Sequence, residues 1–199
     1  AINTLRERGA LSFVSSMNNA AQDSIGAPAC IRNAIAVGAV YDTNPSPYYG
    51  TACVEVDPEA DKLACFSNSS ASIDLVAPGS PISSTRRNGG STIYSGTSMS
   101  TPLVASCAAL LLEHDESLTP LQIELALETS EILVNDKLGR LFPRLDCAAA
   151  ISSITSNQSL SWSCPDAPDA TVEFEGSLLK ITSTDQEVLF SPNDLEVQI

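Results

Sequence analysis

Three short runs of mostly apolar residues constrain this chain more than any other feature. They are Leu11 to Ser16 (LSFVSS), Ile35 to Val40 (IAVGAV) and Ile73 to Ala77 (IDLVA), bounded by Gly, Pro, Asn and Asp. A strand with one face in water alternates apolar and polar residues. Near-continuous runs fit strands buried on both faces, as in a parallel sheet covered by helices. Between Met99 and Leu112 the run PLVASCAALLL has no Gly or Pro after Pro102. It predicts a buried helix with Pro102 in its first turn, where a missing N–H does little harm. Ser117-Leu118-Thr119-Pro120 is a capping signal for a helix running to about Thr129, and Arg144 to Ile154 is a third candidate. A charged, helical-looking segment, Ile2 to Arg8, precedes the first run. After Trp162 the pattern changes to TVEFEG, LLKIT and EVLF, strands of an antiparallel meander. The expectation is an α/β fold over residues 1–158. A small β-rich C-terminal appendage, or the start of a further domain, follows over residues 159–199.

Charge excludes several function classes. Lys plus Arg number 10 against 24 Asp plus Glu, a net charge of -14. Sequence-independent binding to nucleic acid or anionic lipid does not fit that balance. No apolar run is long enough for a membrane span. From Pro165 to Ile199 eight acids face Lys180 alone, which reads as a solvated surface. The opening residues, AINTLRERGA, hold neither an apolar signal core nor a start methionine, so the chain reads as an excised or processed piece.

The chemistry concentrates in Gly96-Thr97-Ser98-Met99-Ser100-Thr101-Pro102. A serine at the entrance of a buried helix has its own N–H and the positive end of the helix dipole directed outward. Ser98 there could attack a carbonyl while its N–H holds the resulting oxyanion, or it could be only a helix cap. The segment resembles the nucleophile motif of the subtilisin-like serine peptidases, the subtilases. Ser15-Ser16-Met17-Asn18-Asn19 is similar to the strand end where that family places an oxyanion-hole Asn. Ala27-Pro28-Ala29-Cys30 running into Ile35 to Val40, Phe66-Ser67-Asn68-Ser69 and Leu75-Val76-Ala77-Pro78-Gly79 resemble further blocks in the family's order. The resemblance covers roughly Leu5 to Ile154.

It implies the C-terminal half of a doubly wound subtilase sheet, with Ser98 as nucleophile and Asn18 as oxyanion-hole donor. Asn19 would take that role if the register shifts by one. It also implies a serine endopeptidase acting on protein or peptide substrates, with the catalytic Asp and His upstream of this chain. The single histidine, His114, lies 16 residues after Ser98, on the order of 24 Å away along a helix, beyond hydrogen-bond reach. The isolated chain is therefore expected to be inactive, and to pair with its N-terminal half or with a second copy of itself, since a sheet cut through the middle exposes a strand edge. The alternative is an inert, subtilase-like scaffold or binding fragment. Met17 speaks for it, standing where most subtilases carry Gly beside the oxyanion Asn; a Met there is expected to narrow the pocket for the residue before the scissile bond, or to shift the strand. Leu103 and Ser106 are further departures, Ser106 costing a few tenths of a kcal/mol in helix propensity.

Six cysteines without CxxC pairs argue against structural zinc and for disulfides, hence a secreted or cell-surface protein. Cys53 and Cys65 flank the acidic insert VEVDPEADKLA and are expected to pair. Cys147 and Cys164 form a second candidate pair, Cys107 reads as a buried free thiol, and Cys30 is unassigned. No cofactor is expected. Calcium is implied by family resemblance alone, without an assigned site, because Asp57, Glu59 and Asp61 lack the spacing of a calcium loop. Asn68-Ser69-Ser70 and Asn157-Gln158-Ser159 are formal glycosylation acceptors.

Overall fold

The computed structural model describes residues 1–155 with their side chains and, beyond them, the strand backbones 162–164, 167–175, 178–183 and 186–190. The chain divides into two compact units, Ala1–Ser153 and Ile154–Ile199. The expected boundary between residues 158 and 159, the side chain of Cys164 and the Asn157 acceptor lie outside the described residues.

The first unit opens with α1 (Ile2–Glu7), β1 (Phe13–Ser15), β2 (Ile35–Tyr41), β3 (Tyr48–Tyr49), β4 (Val54–Glu55) and β5 (Leu75–Ser80). It continues with β6 (Ile82–Thr85), β7 (Ser91–Tyr94), α2 (Thr97–His114), α3 (Pro120–Glu128), β8 (Leu133–Asn135), β9 (Leu141–Pro143) and α4 (Cys147–Thr155). The second unit is an antiparallel sheet of β10 (Trp162–Cys164), β11 (Ala167–Glu175), β12 (Leu178–Ser183) and β13 (Gln186–Phe190), in that order.

The three apolar runs become the central sheet, ordered β1-β2-β5 and parallel at both pairings. Every residue of β2 and of β5 is buried, as strands covered on both faces require. Side chains alternate across the pleat. Val40 and Val76 pack with Val134 and Phe142 of the β8–β9 hairpin, while Ala39 and Tyr41 pack with Ala64 and Phe66. Helix α2 lies against all three strands, burying Val104, Cys107, Ala108 and Leu111.

The third strand begins at Leu75, two residues later than the apolar run suggested. Asp74 stays outside it because its carboxylate accepts the Ala36 N–H at 2.6 Å. Helix α3 starts where its capping signal predicts. The Thr119 side chain accepts the Gln122 N–H, the Gln122 side chain accepts the Thr119 N–H, and Pro120 stands at the first helical position.

Two disulfides staple this unit. Cys53–Cys65 closes the acidic insert as expected. The second corrects the sequence expectation: Cys107, on the buried side of α2, is bonded to Cys147 at the start of α4, so it is neither a free thiol nor is Cys147 the partner of Cys164. Two helices packed into one core bring the Cα atoms to 5.7 Å, within disulfide range, and sequence spacing carries no trace of that approach. Cys30 is free and exposed.

Candidate active site

Helix α2 begins at Thr97, two residues earlier than its apolar pattern suggests. Ser98 therefore sits inside the first turn, at the second helical position, and is exposed. The N–H groups of a first turn have no helical acceptor, so that of Ser98 remains available to an outside ligand. Pro102 is correspondingly deeper in the helix than expected, and its missing N–H leaves the Ser98 carbonyl without the usual helical donor. Gly96 precedes the helix with φ 157°. Its N–H donates to the Gly79 carbonyl at 2.9 Å, which fixes the entrance of α2 to the end of β5.

Asn18 follows β1 and meets this entrance. Its Oδ1 accepts the Thr97 backbone N–H at 2.9 Å and the Thr97 hydroxyl at 3.1 Å. With the oxygen held there, the Asn18 Nδ2 is directed away from Thr97, and no acceptor engages it among the described residues. Thr97 is fully buried, and its carbonyl accepts the hydroxyls of Ser100 and Thr101. Asn19 is held differently: its backbone N–H goes to Asn68 Oδ1 at 2.8 Å. The structure thus brings Asn18, rather than Asn19, to the residue beside Ser98.

The loop carrying Asn18 is fixed from behind. The Asn68 N–H donates to the Met17 carbonyl, Asn68 Oδ1 also accepts the Ala21 N–H, and the buried Ser16 hydroxyl donates to the Asn68 carbonyl. Asn68 is itself buried, so the Asn68-Ser69-Ser70 sequon is closed to a glycan in the folded chain. Further out, Arg140 bonds Asp23, the Gln22 carbonyl, Ser69 and Asp136. Burial pushes the Asp136 carboxyl up, but hydrogen bonds from Arg140, Ser69 and Leu138 outweigh it and hold the group below its ordinary value. Thr97 and Ser16 lie inside the quoted motifs but carry no role of their own there, and the bonds of Arg140 to Asp23, Gln22, Ser69 and Asp136 leave no sequence signal. Only the FSNS block hinted at Asn68.

Met17 is left-handed at φ 85° and 43% exposed. A β-carbon on Gly26 would lie 2.4 Å from the Met17 Sδ, so the thioether rests on Gly26, beside Asn18 in sequence. Only a glycine at residue 26 gives the Met17 side chain room in this position. His114 is the last, exposed residue of α2, at the end opposite Ser98. The Ser106 hydroxyl bonds back to the Pro102 carbonyl at 2.8 Å.

Among the described residues, Asp74, Glu124 and Glu128 are the group whose carboxylates could share a metal ion, with oxygens within 4.8 Å of one another. Arg6 of α1 already occupies Glu124, and Asp74 accepts the Ala36 N–H. Burial first, and the neighbouring acids second, push Glu128 up to about 7; burial, then Glu124, lift Asp74 to about 6 against the Ala36 hydrogen bond. Calcium takes six to eight oxygen ligands, and in this trio Arg6 holds one carboxylate and the Ala36 N–H engages another. In the acidic insert, Glu59 pairs with Lys62 and Asp61 with Arg144.

A family model described as "Subtilase family" matches residues 1–168. Alkaline serine exoprotease A of Vibrio alginolyticus is 47% identical over 64 residues, which is 32% of this chain and 12% of that protein. Subtilisin BL of Lederbergia lenta is 35% identical over 123 residues, 62% of this chain and 39% of that protein. The crystal structure of a cold adapted subtilisin-like serine proteinase superimposes with a TM-score of 0.57 at 32% identity, covering 72% of this chain and 47% of that one. The chain thus spans less than half the length of each of these relatives.

Proposed function

The chain belongs to the subtilase family, and from that premise we propose that it is the nucleophile-bearing part of a serine endopeptidase. Ser98 Oγ attacks the carbonyl carbon of a peptide bond. Two donors meet the developing oxyanion, the Ser98 N–H at the positive end of α2 and the Asn18 Nδ2. The acyl group is then released from Ser98 by water. Thr97 acts as a positioning residue: by holding the Asn18 oxygen it directs the amide NH2 toward the forming charge. Met17, lying on Gly26, restricts the residue before the scissile bond to small side chains.

The observation that carries this reading is the hydrogen bond joining Asn18 to Thr97, residues 79 apart in sequence. It couples a strand end to the first turn of α2, and cap formation alone would not need it. The base and its acid partner are supplied by a segment outside these 199 residues. His114, at the wrong end of α2, cannot serve, so the chain alone is inactive. The unpaired edge of β1 suits docking of that segment, or of a second copy. Two disulfides support a secreted or cell-surface setting.

The test is intact-mass analysis after a fluorophosphonate probe, on the chain alone and with the preceding segment, with Ser98→Ala as control. Labelling of Ser98 only in the reconstituted sample is expected. No labelling in either sample would leave an inert scaffold, and labelling of the lone chain would refute the missing base.

A further inference from the structure

Strands β6 and β7 form an antiparallel arm, pairing Ile82 with Tyr94 through to Thr85 with Ser91. Its feet are clamped beside Ser98. The Ser80 and Ser95 hydroxyls hydrogen-bond at 2.8 Å, and the Gly96 N–H reaches the Gly79 carbonyl. Its tip is tight, with Asn88, Gly89 and Gly90 all left-handed and the Arg86 N–H donating to the Gly90 carbonyl. Ile93 and Tyr94 are 65% and 61% exposed. Arg86 and Arg87, at the tip, are exposed and enter no ion pair among the described residues.

An adjacent pair of unpartnered arginines is out of keeping with a chain of net charge -14. Arg6, Lys62, Arg140 and Arg144 are each met by a carboxylate within the fold, while Arg8, Arg32 and Lys137 stand unpaired but singly in the chain; Arg86 and Arg87 are the adjacent pair among the described residues, at one exposed tip. Resting on the reading of Ser98 as nucleophile, we propose that this arm is a recognition element for acidic peptide substrates, with Arg86 and Arg87 binding carboxylates remote from the bond that is cut. From Ser91 to Tyr94 is about 10 Å of strand, and from Tyr94 to Ser98 at most about 14 Å of chain. An extended peptide rising about 3.3 Å per residue covers that reach in about seven residues. The preferred substrate therefore carries Asp or Glu roughly five to eight positions from the scissile bond, with apolar contact between to one of Ile93 and Tyr94, which lie on opposite faces of β7. Guanidinium groups suit this task because their forked donors match a carboxylate.

The test measures binding, so that it does not depend on hydrolysis. Fluorescein-labelled peptides of Ala, Ser and Gly around one central Leu-Ala bond are titrated with the Ser98→Ala chain at low salt. One carries Asp-Glu-Asp six residues before that bond, one the same block six residues after it; a Lys-Lys-Lys and a neutral peptide complete the set. One of the two acidic peptides is expected to bind about three- to ten-fold more tightly than the neutral one, with the difference fading in high salt. The double substitution R86A/R87A should remove the difference, and R86E/R87E should transfer it to the Lys peptide. Equal binding of all peptides, absence of binding, or an acidic preference that survives R86E/R87E overturns the proposal. Fluorophosphonate labelling of Ser98 involves no peptide, so it judges the nucleophile reading separately.

Discussion

Replacing Glu128 with Gln should stabilise this chain, and only at neutral and alkaline pH. Glu128 on α3 faces Glu124 one turn back, Asp74 before β5 and Arg6 of α1. Its carboxyl is raised from 4.5 to about 7, chiefly by burial and then by the two acids. Between those values the folded chain keeps the proton that the unfolded chain has lost. Stability is therefore fully present below pH 4.5 and declines as pH rises through 7. A shift of that size corresponds to about 3 kcal/mol as an upper limit. Because Glu128 is only partly buried, solvent screening reduces this to about 1–2 kcal/mol. Gln keeps the shape and the neutral form at every pH. Thermal unfolding followed by circular dichroism should show the variant melting about 3–6 °C higher at pH 8, with no difference at pH 4. An equal shift at both pH values would refute the reasoning, since it would report packing rather than ionisation. Destabilisation at pH 8 would mean that the carboxylate is held by Arg6 and not opposed by its neighbours.

At the site, Asn18→Ala in the reconstituted protease should lower kcat by about 10²–10³ with little change in KM, the usual cost of one oxyanion donor. Thr97→Val removes one of the two bonds to Asn18 Oδ1; a several-fold fall in kcat at unchanged KM is expected, and an unchanged kcat would deny Thr97 its positioning role. Met17→Gly clears the space over Gly26 and relieves a left-handed residue. Hydrolysis of matched peptides with Leu or Ala before the scissile bond should then shift toward Leu by about ten-fold or more in kcat/KM. Replacing Cys107 and Cys147 together by Ala opens a disulfide with sequence separation 40. In the chain-entropy model this costs about 4 kcal/mol, read as a lowered urea midpoint.

What the sequence disclosed and what it hid divide along a physical line. Burial on both faces writes itself into the chain as apolar runs, so β2 and the body of α2 were legible, and capping chemistry is local, so the start of α3 was too. The place of Ser98 at the entrance of α2 was legible through a motif whose residues adjoin one another. Position in three dimensions was not. The Thr97–Asn18 bond joins a buried threonine to an asparagine 79 residues away. The Asn68 bonds to Asn19 and Ala21 span 49 and 47 residues, and the Cys107–Cys147 bridge depends on two helices meeting. Each involves polar or small residues that contribute nothing to an apolar period. Even the strand boundary at Leu75 moved for this reason, since the Asp74 carboxylate was drawn to the Ala36 N–H. The same division explains the site itself. On the proposed reading, the attacking oxygen of Ser98 stands on an element that the sequence announces, while Asn18 is fixed by long-range hydrogen bonds to buried residues. On that reading, a substitution at Asn68 would therefore loosen the loop that carries Asn18 and lower the rate at Ser98, while leaving the Gly96 to Pro102 motif and every apolar run intact.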